Sequence, residues 1–269
     1  VWPMVVEHIG VIQGPLGDTV IGQGADTAFG QMAAETLGIP FEMVHVISTQ
    51  DTDVTPFGTG AYASRQTYMA GFSIRQTGEL LKKKIIETAH ELTRQMKENL
   101  DIINGYIVRT TDGETLMTLG ELATEKLYSL TDNGHLTAES SYQIKNNAYS
   151  FGCTFAEVEV DIGGCGVEVK DILNVHDCGK VINPALAEAQ VHGGMSMAIG
   201  YALSEKLLFD EKTGRPLNNN LLDYKLSTFM DHPDLKAEFI ENREATRAFG
   251  TKGLGEAPTC SPGAGIRNV

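Results

Sequence analysis

The sequence predicts an α+β fold of two similar halves, each a mixed sheet with a buried helix that carries glycine. Three observations predict it. Strand-like runs alternate along the chain with runs of helical period. The order strands, glycine-bearing apolar helix, strands occurs twice, once in each half. The 269 residues suffice for one large domain or two of ordinary size. A boundary near Ser140 separates residues 1–140 from 141–269.

In chain order, Val5 to Ile12 reads as strand, and Gly22-Gln23-Gly24-Ala25-Asp26-Thr27 as a turn feeding a helix, with Asp26 or Thr27 as its cap. Phe29, Met32, Ala33 and Leu37 recur at helical spacing, and Gly38 with Pro40 ends that helix. Met43 to Ser48 reads as a short strand, and Thr49 to Ala63 as a loop. A long helix is expected from about Gln66 to Leu100, with Met69, Phe72, Leu80, Leu81, Ile85, Ile86, Ala89, Leu92 and Met96 as its stripe. Short strand, turn and helix follow to Gly134, with a turn at Thr131-Asp132-Asn133-Gly134.

The second half opens with a hairpin. Thr154 to Asp161 alternates Ala156, Val158 and Val160 with acidic residues, Gly163-Gly164 turns, and Val167 to His176 returns. Asn183-Pro184 has the cap and first-position chemistry of a helix whose stripe is Leu186, Val191, Met195, Ile199, Ala202 and Leu203.

Composition excludes several classes. A formal charge of −14 repels phosphate backbones and anionic lipid, and Lys82-Lys83-Lys84 reads as a solvated helix face, so no nucleic-acid partner is expected. No run of eighteen uncharged apolar residues is present, so no membrane span is expected. Cys153, Cys165, Cys178 and Cys260 form no C-x-x-C pair and the histidines are scattered, which argues for reduced thiols in a cytoplasmic setting and against a metal held directly by this chain. The first residues already read as strand and the last as a helix start, so the chain is read as a fragment of a longer polypeptide.

Three stretches have the chemistry of a site. Gly22-Gln23-Gly24 opens a helix whose N-terminal amides and Gln23 carboxamide suit a ligand with phosphate or polar ring atoms. Gly58 to Arg65 opens a second helix, with Ser64 as its cap on the ordinary reading. Gly250, Gly253 and Gly255 leave little bulk around Glu256, placing a carboxylate where a general base is wanted. Taken singly, each also serves a turn or a cap. Other templates fail. Thr27 stands where the third glycine of G-x-G-x-x-G would fall, no G-K-[ST] follows, and Ser196 lacks the second glycine of a nucleophile elbow. Glu157, Glu159 and Asp161 alternate as the solvated face of a hairpin.

In one fixed order, these stretches join Phe151 to Asp161, Asp177-Cys178-Gly179 with Asn183-Pro184, and Gln190-Val191-His192-Gly193-Gly194. That order resembles the molybdenum-binding region of the xanthine dehydrogenase and aldehyde oxidase family over nearly the whole chain. The Asp51-to-Arg65 loop looks closest to the bacterial xanthine dehydrogenases. The resemblance implies a hydroxylase that takes oxygen from water and uses molybdopterin with oxo and sulfido ligands on the molybdenum. It implies that Glu256 is the general base and that Gly22, Gln23, Gly24, Ala63, Ser64, Arg65 and Gln190 contact the cofactor, with no direct metal ligand from the chain. It implies a purine substrate, hypoxanthine or xanthine, with an aldehyde or N-heterocycle as the alternative. It also implies partners: the N-terminal half of the molybdenum subunit, and 2Fe-2S and FAD groups on other domains or subunits. Alone, the chain is expected to be inactive. Ala257-Pro258 follows Glu256 where some of the family carry two prolines. The reading of a different class is a non-catalytic α+β interaction module.

Overall fold

The computed structural model describes residues 2–15, 17–48, 51, 53, 55, 57–58, 60–130, 133–143 and 147–268. By contact the chain falls into two compact units. One holds Val1–Asn147 with Ala245–Phe249, and the other Ala148–Glu244 with Gly250–Val269.

The first unit begins with β1 (Trp2–Val6) and β2 (Ile12–Pro15), an antiparallel pair. The single strand expected from Val5 to Ile12 is thus two strands. The break is at Gly10, whose φ of 84° and N–H bond to the Glu7 carbonyl (2.8 Å) reverse the chain. Helix α1 (Ala25–Leu37) buries Phe29, Met32, Ala33 and Leu37 and stops at left-handed Gly38, as expected. Its cap is Gly24 rather than Asp26 or Thr27. Asp26 lies in the first turn, where it accepts a bond from the Ser48 hydroxyl (2.8 Å). After α1, β3 (Val44–Ile47) pairs parallel to β2.

Helix α2 (Gln66–Thr93) is shorter than expected. It ends because Arg94 turns left-handed (φ 59°) and donates to the His90 carbonyl, and Leu100 already belongs to a strand. Its buried face also departs from the expected stripe. Leu80 and Leu92 are 46% and 41% exposed, and Met96 is exposed beyond the helix end. Gly71, Gly78 and Ser73 are buried instead. Close packing of α1 explains the shift: a Cβ on Gly78 would stand 2.6 Å from Thr36 Cγ2, and one on Gly71 3.0 Å from Met32 Sδ.

β4 (Leu100–Ile103), β5 (Tyr106–Arg109) and β6 (Glu114–Thr118) form an antiparallel meander. Asn104 and Gly105, both with positive φ, make its first turn. α3 (Leu119–Leu127) starts on a capping box between Thr118 and Glu121. β7 (Leu136–Ser140) then pairs antiparallel with β1, giving the sheet order β3-β2-β1-β7. Of the expected turn at Thr131-Asp132-Asn133-Gly134, Thr131 and Asp132 lie outside the described residues, as do Thr49, Gln50, Thr52, Val54, Pro56 and Thr59 of the expected loop.

In the second unit β8 (Phe151–Asp161) and β9 (Gly166–Asp177) form the expected hairpin. Asp161 Oδ1 holds its turn by accepting from the Gly163 and Gly164 amides (2.9 and 3.0 Å). α4 (Pro184–Leu203) starts on Asn183, whose Oδ1 accepts from the Leu186 amide (3.1 Å). β10 (Leu235–Phe239) pairs parallel to β9, and α5 (Ala257–Cys260) and α6 (Pro262–Arg267) follow. Val169, Ile172, Val191, Met195, Ile199 and Ile266 form the core, each buried aliphatic side chain contributing roughly 1.5–3 kcal/mol. Ala156 and Val158 pack against it. Val160 and Leu203 do not, because the hairpin tip and the last turn of α4 are solvated.

The two units share one order of elements: an antiparallel pair, a helix, and a strand parallel to the second of the pair. Each crossover helix carries a glycine at a close contact. A Cβ on Gly30 would lie 2.7 Å from the Phe41 ring, and one on Gly194 would lie 2.6 Å from Pro258.

Candidate functional site

In the first unit the Gly22-Gln23-Gly24 turn meets the start of α2. Gln23 Nε2 donates to Gln66 Oε1 (2.6 Å) and to the Thr19 carbonyl (3.0 Å), and Gln23 Oε1 accepts from the Ile21 amide (2.8 Å). Gln66 Nε2 donates to the same Thr19 carbonyl (2.8 Å). Two carboxamides 43 positions apart thus tie the turn to the helix. Both Gln23 N–H bonds are spent on this tie, so what the side chain still offers a ligand is an oxygen lone pair. Gly22 and Gly24 have φ of 94° and 81°, where a larger residue would be strained. Among the described residues no atom lies within 4 Å of where a Gly22 Cβ would stand, so the turn is open on that side.

Tyr62 to Arg65 form a type I′ turn. Ala63 and Ser64 have φ of 51° and 52°, and the Arg65 amide donates to the Tyr62 carbonyl (3.2 Å). Left-handed backbone in L-residues other than glycine costs about 1–2 kcal/mol per residue. The cap position of α2 is therefore Arg65 rather than Ser64, whose backbone is spent on the turn. The Arg65 guanidinium lies 5.0 Å from the Tyr62 ring centroid, and its Nε is 2.9 Å from Met69 Sδ. Beside it opens a cleft of about 550 Å³ lined by Asp18, Arg65, Tyr68, Ser73 and Tyr142 among others. Burial pushes the Asp18 carboxyl above its usual range, with the Arg65 charge opposing.

In the second unit Glu256 is exposed, at the residue before α5. The loop leading to it is held from several sides. The Lys252 amide donates to the Cys178 carbonyl (2.7 Å), Thr251 bridges Gly179, and the Ser150 hydroxyl donates to the Gly253 carbonyl. Lys252 Nζ lies 2.7 Å from Asp177 Oδ2, with side chains 4% and 11% exposed. Past the loop, buried Asn174 donates to the Pro258 carbonyl (3.1 Å) and accepts from Thr154 Oγ1 (2.9 Å). Gln190, half-buried, lies one turn before Gly194, the residue of α4 that touches Pro258. α4 and α5 thus put Gln190 and Glu256 on adjoining elements.

His176 precedes Asp177 in sequence and is 1% exposed, with Gly152 against its ring and, among the described residues, no hydrogen-bond partner for either ring nitrogen. Burial lowers its pKa. The folded state therefore refuses a proton that the unfolded chain accepts below about pH 6.5. Stability falls as pH drops from there toward the lower folded value, at no more than about 1.4 kcal/mol per pH unit. Urea unfolding at pH 7.5 and 5.5 should show a smaller acid loss in His176→Phe than in the parent. Equal losses would refute the assignment.

Sequence reading missed Gln66, Asp177 as the partner of Lys252, and the lining residues Asp18 and Tyr142. A polar residue in the first turn of a helix was a usable sign for Gln66. The others are brought together only by the fold. Among the described residues no group of three or more His, Cys, Asp or Glu is arranged to hold a metal, and no helix is long and apolar enough to cross a membrane. Cys178 is buried and its thiol is pushed up to about 11, chiefly by desolvation.

The chain matches the family model described as molybdopterin cofactor-binding domain over residues 4–233, so Glu256 lies past the matched stretch. It is 49% identical over 278 aligned positions to the xanthine dehydrogenase molybdenum-binding subunit of Escherichia coli O157:H7, covering 100% of this chain and 37% of that protein. It is 29% identical to the carbon monoxide dehydrogenase large chain of Afipia carboxidovorans, covering 94% of this chain and 31% of the other. Among solved structures, quinoline 2-oxidoreductase from Pseudomonas putida 86 superposes with a TM-score of 0.87 at 27% identity, over 98% of this chain and 34% of that one. The chain therefore spans about a third of the length of these proteins.

Proposed function

Since this chain belongs to the molybdopterin cofactor-binding domain family, we propose that it is part of the molybdenum-binding subunit of a hydroxylase that oxidises hypoxanthine or xanthine with water as the oxygen source. One observation carries the geometric part of the reading: the bond from Gln23 to Gln66, which brings the Gly22–Gly24 turn to the strained turn at Ala63, Ser64 and Arg65. The purine part is supported by the near-half identity to a xanthine dehydrogenase subunit.

The residues fit the cofactor. α1 has no side-chain cap, its cap residue is glycine, and open space lies beside Gly22, which suits a ligand with phosphate and polar ring atoms at a helix N-terminus. When bound, the cofactor supplies the two-electron redox chemistry and the activation of water. The work of the chain is positional and protonic. Gly22 and Gly24 let backbone approach the ligand, Gln23 offers its oxygen while its N–H groups hold the turn, and Ala63, Ser64 and Arg65 present the N-terminal end of α2. Gln190 adds a carboxamide from α4. Glu256 takes the proton of the attacking oxygen at its carboxylate, a role worth typically ~10²–10⁴ in rate. We assign the first cofactor-binding half to 1–140 and the half with the base to 141–269.

The N-terminal part of the subunit supplies the remaining substrate contacts, 2Fe-2S and FAD groups on other domains or subunits take the electrons, and the assembly works in the cytoplasm. The test is a substrate panel on the full-length subunit with its partners, read as kcat/KM alongside molybdenum content. Purines are expected to exceed aldehydes and quinoline-type heterocycles by at least about tenfold, the scale on which pocket contacts discriminate. A heterocycle or aldehyde preference would shift the reading to that class, which the likeness of 98% of this chain to a third of a quinoline oxidoreductase favours as the second reading. The isolated 269-residue chain is expected to turn over none of them.

A further inference from the structure

We propose that the exposed ridge of α4, with the segment from Leu221 to Met230 beside it, is the surface on which the remainder of the molybdenum-binding subunit docks. The proposal rests on the reading above and adds where the two parts of that polypeptide meet. Ala185, Ala189, Gly193, Met197 and Tyr201 follow one another at four-residue spacing along α4, and all five are exposed. Side chains at this spacing form a ridge, the feature that seats in the groove of another helix. Glu188 is the one Asp, Glu, Lys or Arg among the twenty residues of α4. A helix that is apolar all round belongs in an interior. Here only the side carrying Val191, Met195 and Ile199 is covered, by the core of the second unit. Half of the ridge is also low enough for another backbone to come close: among the described residues no atom lies within 4 Å of where a Gly193 Cβ would stand.

The segment that follows α4 enlarges this surface. Ser204 Oγ donates to the Lys225 carbonyl (3.0 Å), and Ser227 Oγ donates to the Ser196 carbonyl (3.3 Å). The His232 ring shares a hydrogen bond with Ser196 Oγ (3.4 Å). Phe229 and Met230 thus stand between two residues anchored on Ser196, the neighbour of Met197 in the ridge, and are 91% and 87% exposed. Leu221 and Leu222 are exposed on the same segment. Large apolar side chains gathered in water mark an interaction surface.

Chemistry narrows the occupant. The ridge carries no Lys or Arg and the chain a net charge of −14, so an anionic lipid surface does not fit. The ridge also runs past Gln190, which the proposed function places at the cofactor. The remainder of the subunit has to reach that same place to complete the site, and a second copy seated there would exclude it. Likeness over 100% of this chain to 37% of the Escherichia coli O157:H7 subunit leaves the larger part of such a polypeptide to form the cover.

In the full-length subunit, Tyr201 replaced by the photocrosslinker p-benzoylphenylalanine is expected to join, at the mass of one subunit, to a peptide outside this 269-residue stretch. A link only within the stretch, a link to a second copy or to a partner subunit, or no link overturns the proposal. Stability gives an independent reading whose sign differs between a covered and a bare ridge. On a bare helix face Gly193→Leu stabilises, because leucine is the better helix former. Under a packed cover it shifts the unfolding equilibrium of the full-length subunit at least tenfold toward the unfolded state, the scale on which overpacking acts. Met197→Gln keeps length and helix propensity, adds no bulk, and is expected to destabilise in the same direction by burying a carboxamide. It decides alone if Gly193→Leu does not fold. Either variant as stable as the parent overturns the proposal. Neither readout uses turnover or molybdenum, so failure here leaves the hydroxylase reading standing, and failure of the substrate panel moves neither.

Discussion

Glu256→Gln in the full-length subunit is expected to lower kcat for purine oxidation by at least ~10²–10⁴, the usual worth of a positioned base, while molybdenum content and melting temperature stay near the parent values. The substitution is nearly isosteric and removes the ability to take a proton. Glu256 is exposed, its side chain makes no cap bond to α5, and the local turn uses its backbone carbonyl, which accepts from the Thr259 amide (3.1 Å). The loop is anchored instead through Lys252, Thr251 and Gly253. A fall in activity at full cofactor occupancy thus reports on proton transfer. Unchanged kcat at full occupancy would remove the base assignment and leave the non-catalytic interaction module as the better account.

The parts of this fold that were legible in the sequence are those decided by neighbouring residues. Asn183-Pro184 starts α4 and Gly38 stops α1 because cap chemistry is local. The hairpin of β8 and β9 follows from alternation over Ala156 and Val158. The end of α2 was not legible, since Met96 and Leu100 continue its apolar spacing and only the left-handed turn at Arg94 stops it. Its buried face was misread for a related reason: hydrophobicity points to Leu80 and Leu92, whereas close helix contact selects Gly71 and Gly78. Asn104-Gly105 was a hairpin signal in plain view, within a stretch read only as mixed. For the site, the glycine turns could be named in advance. The tie from Gln23 to Gln66 and the pair of Lys252 with Asp177 join positions 43 and 75 apart, and no local pattern reports them.

That second pair supports the other large effect. Lys252→Met is expected to destabilise the protein by about 3–5 kcal/mol, because removing one member of a buried ion pair leaves the other charge uncompensated. Burial alone would raise the Asp177 carboxyl. The Lys252 ammonium, the Gly179 amide and the Asn242 carboxamide more than offset it, so the group sits below its usual range. A depressed folded pKa means that the pair's stabilisation is complete above the unfolded carboxylate value near 4 and is lost as pH falls through the lower folded value. Urea unfolding should show the loss at neutral pH and a smaller gap between parent and variant in strong acid. Asp177→Leu combined with Lys252→Met should recover much of the loss, since an apolar pair strands no charge. The same double variant separates stability from geometry. Lys252 lies four residues before Glu256, and a displacement of about 1 Å at a catalytic group costs on the order of 10² in rate, so a double variant that refolds well yet turns over slowly would mean that the ion pair aims the loop as well as holding it. Recovery of both stability and rate would mean that backbone bonds from Lys252 to Cys178 and from Thr251 to Gly179 suffice for aim.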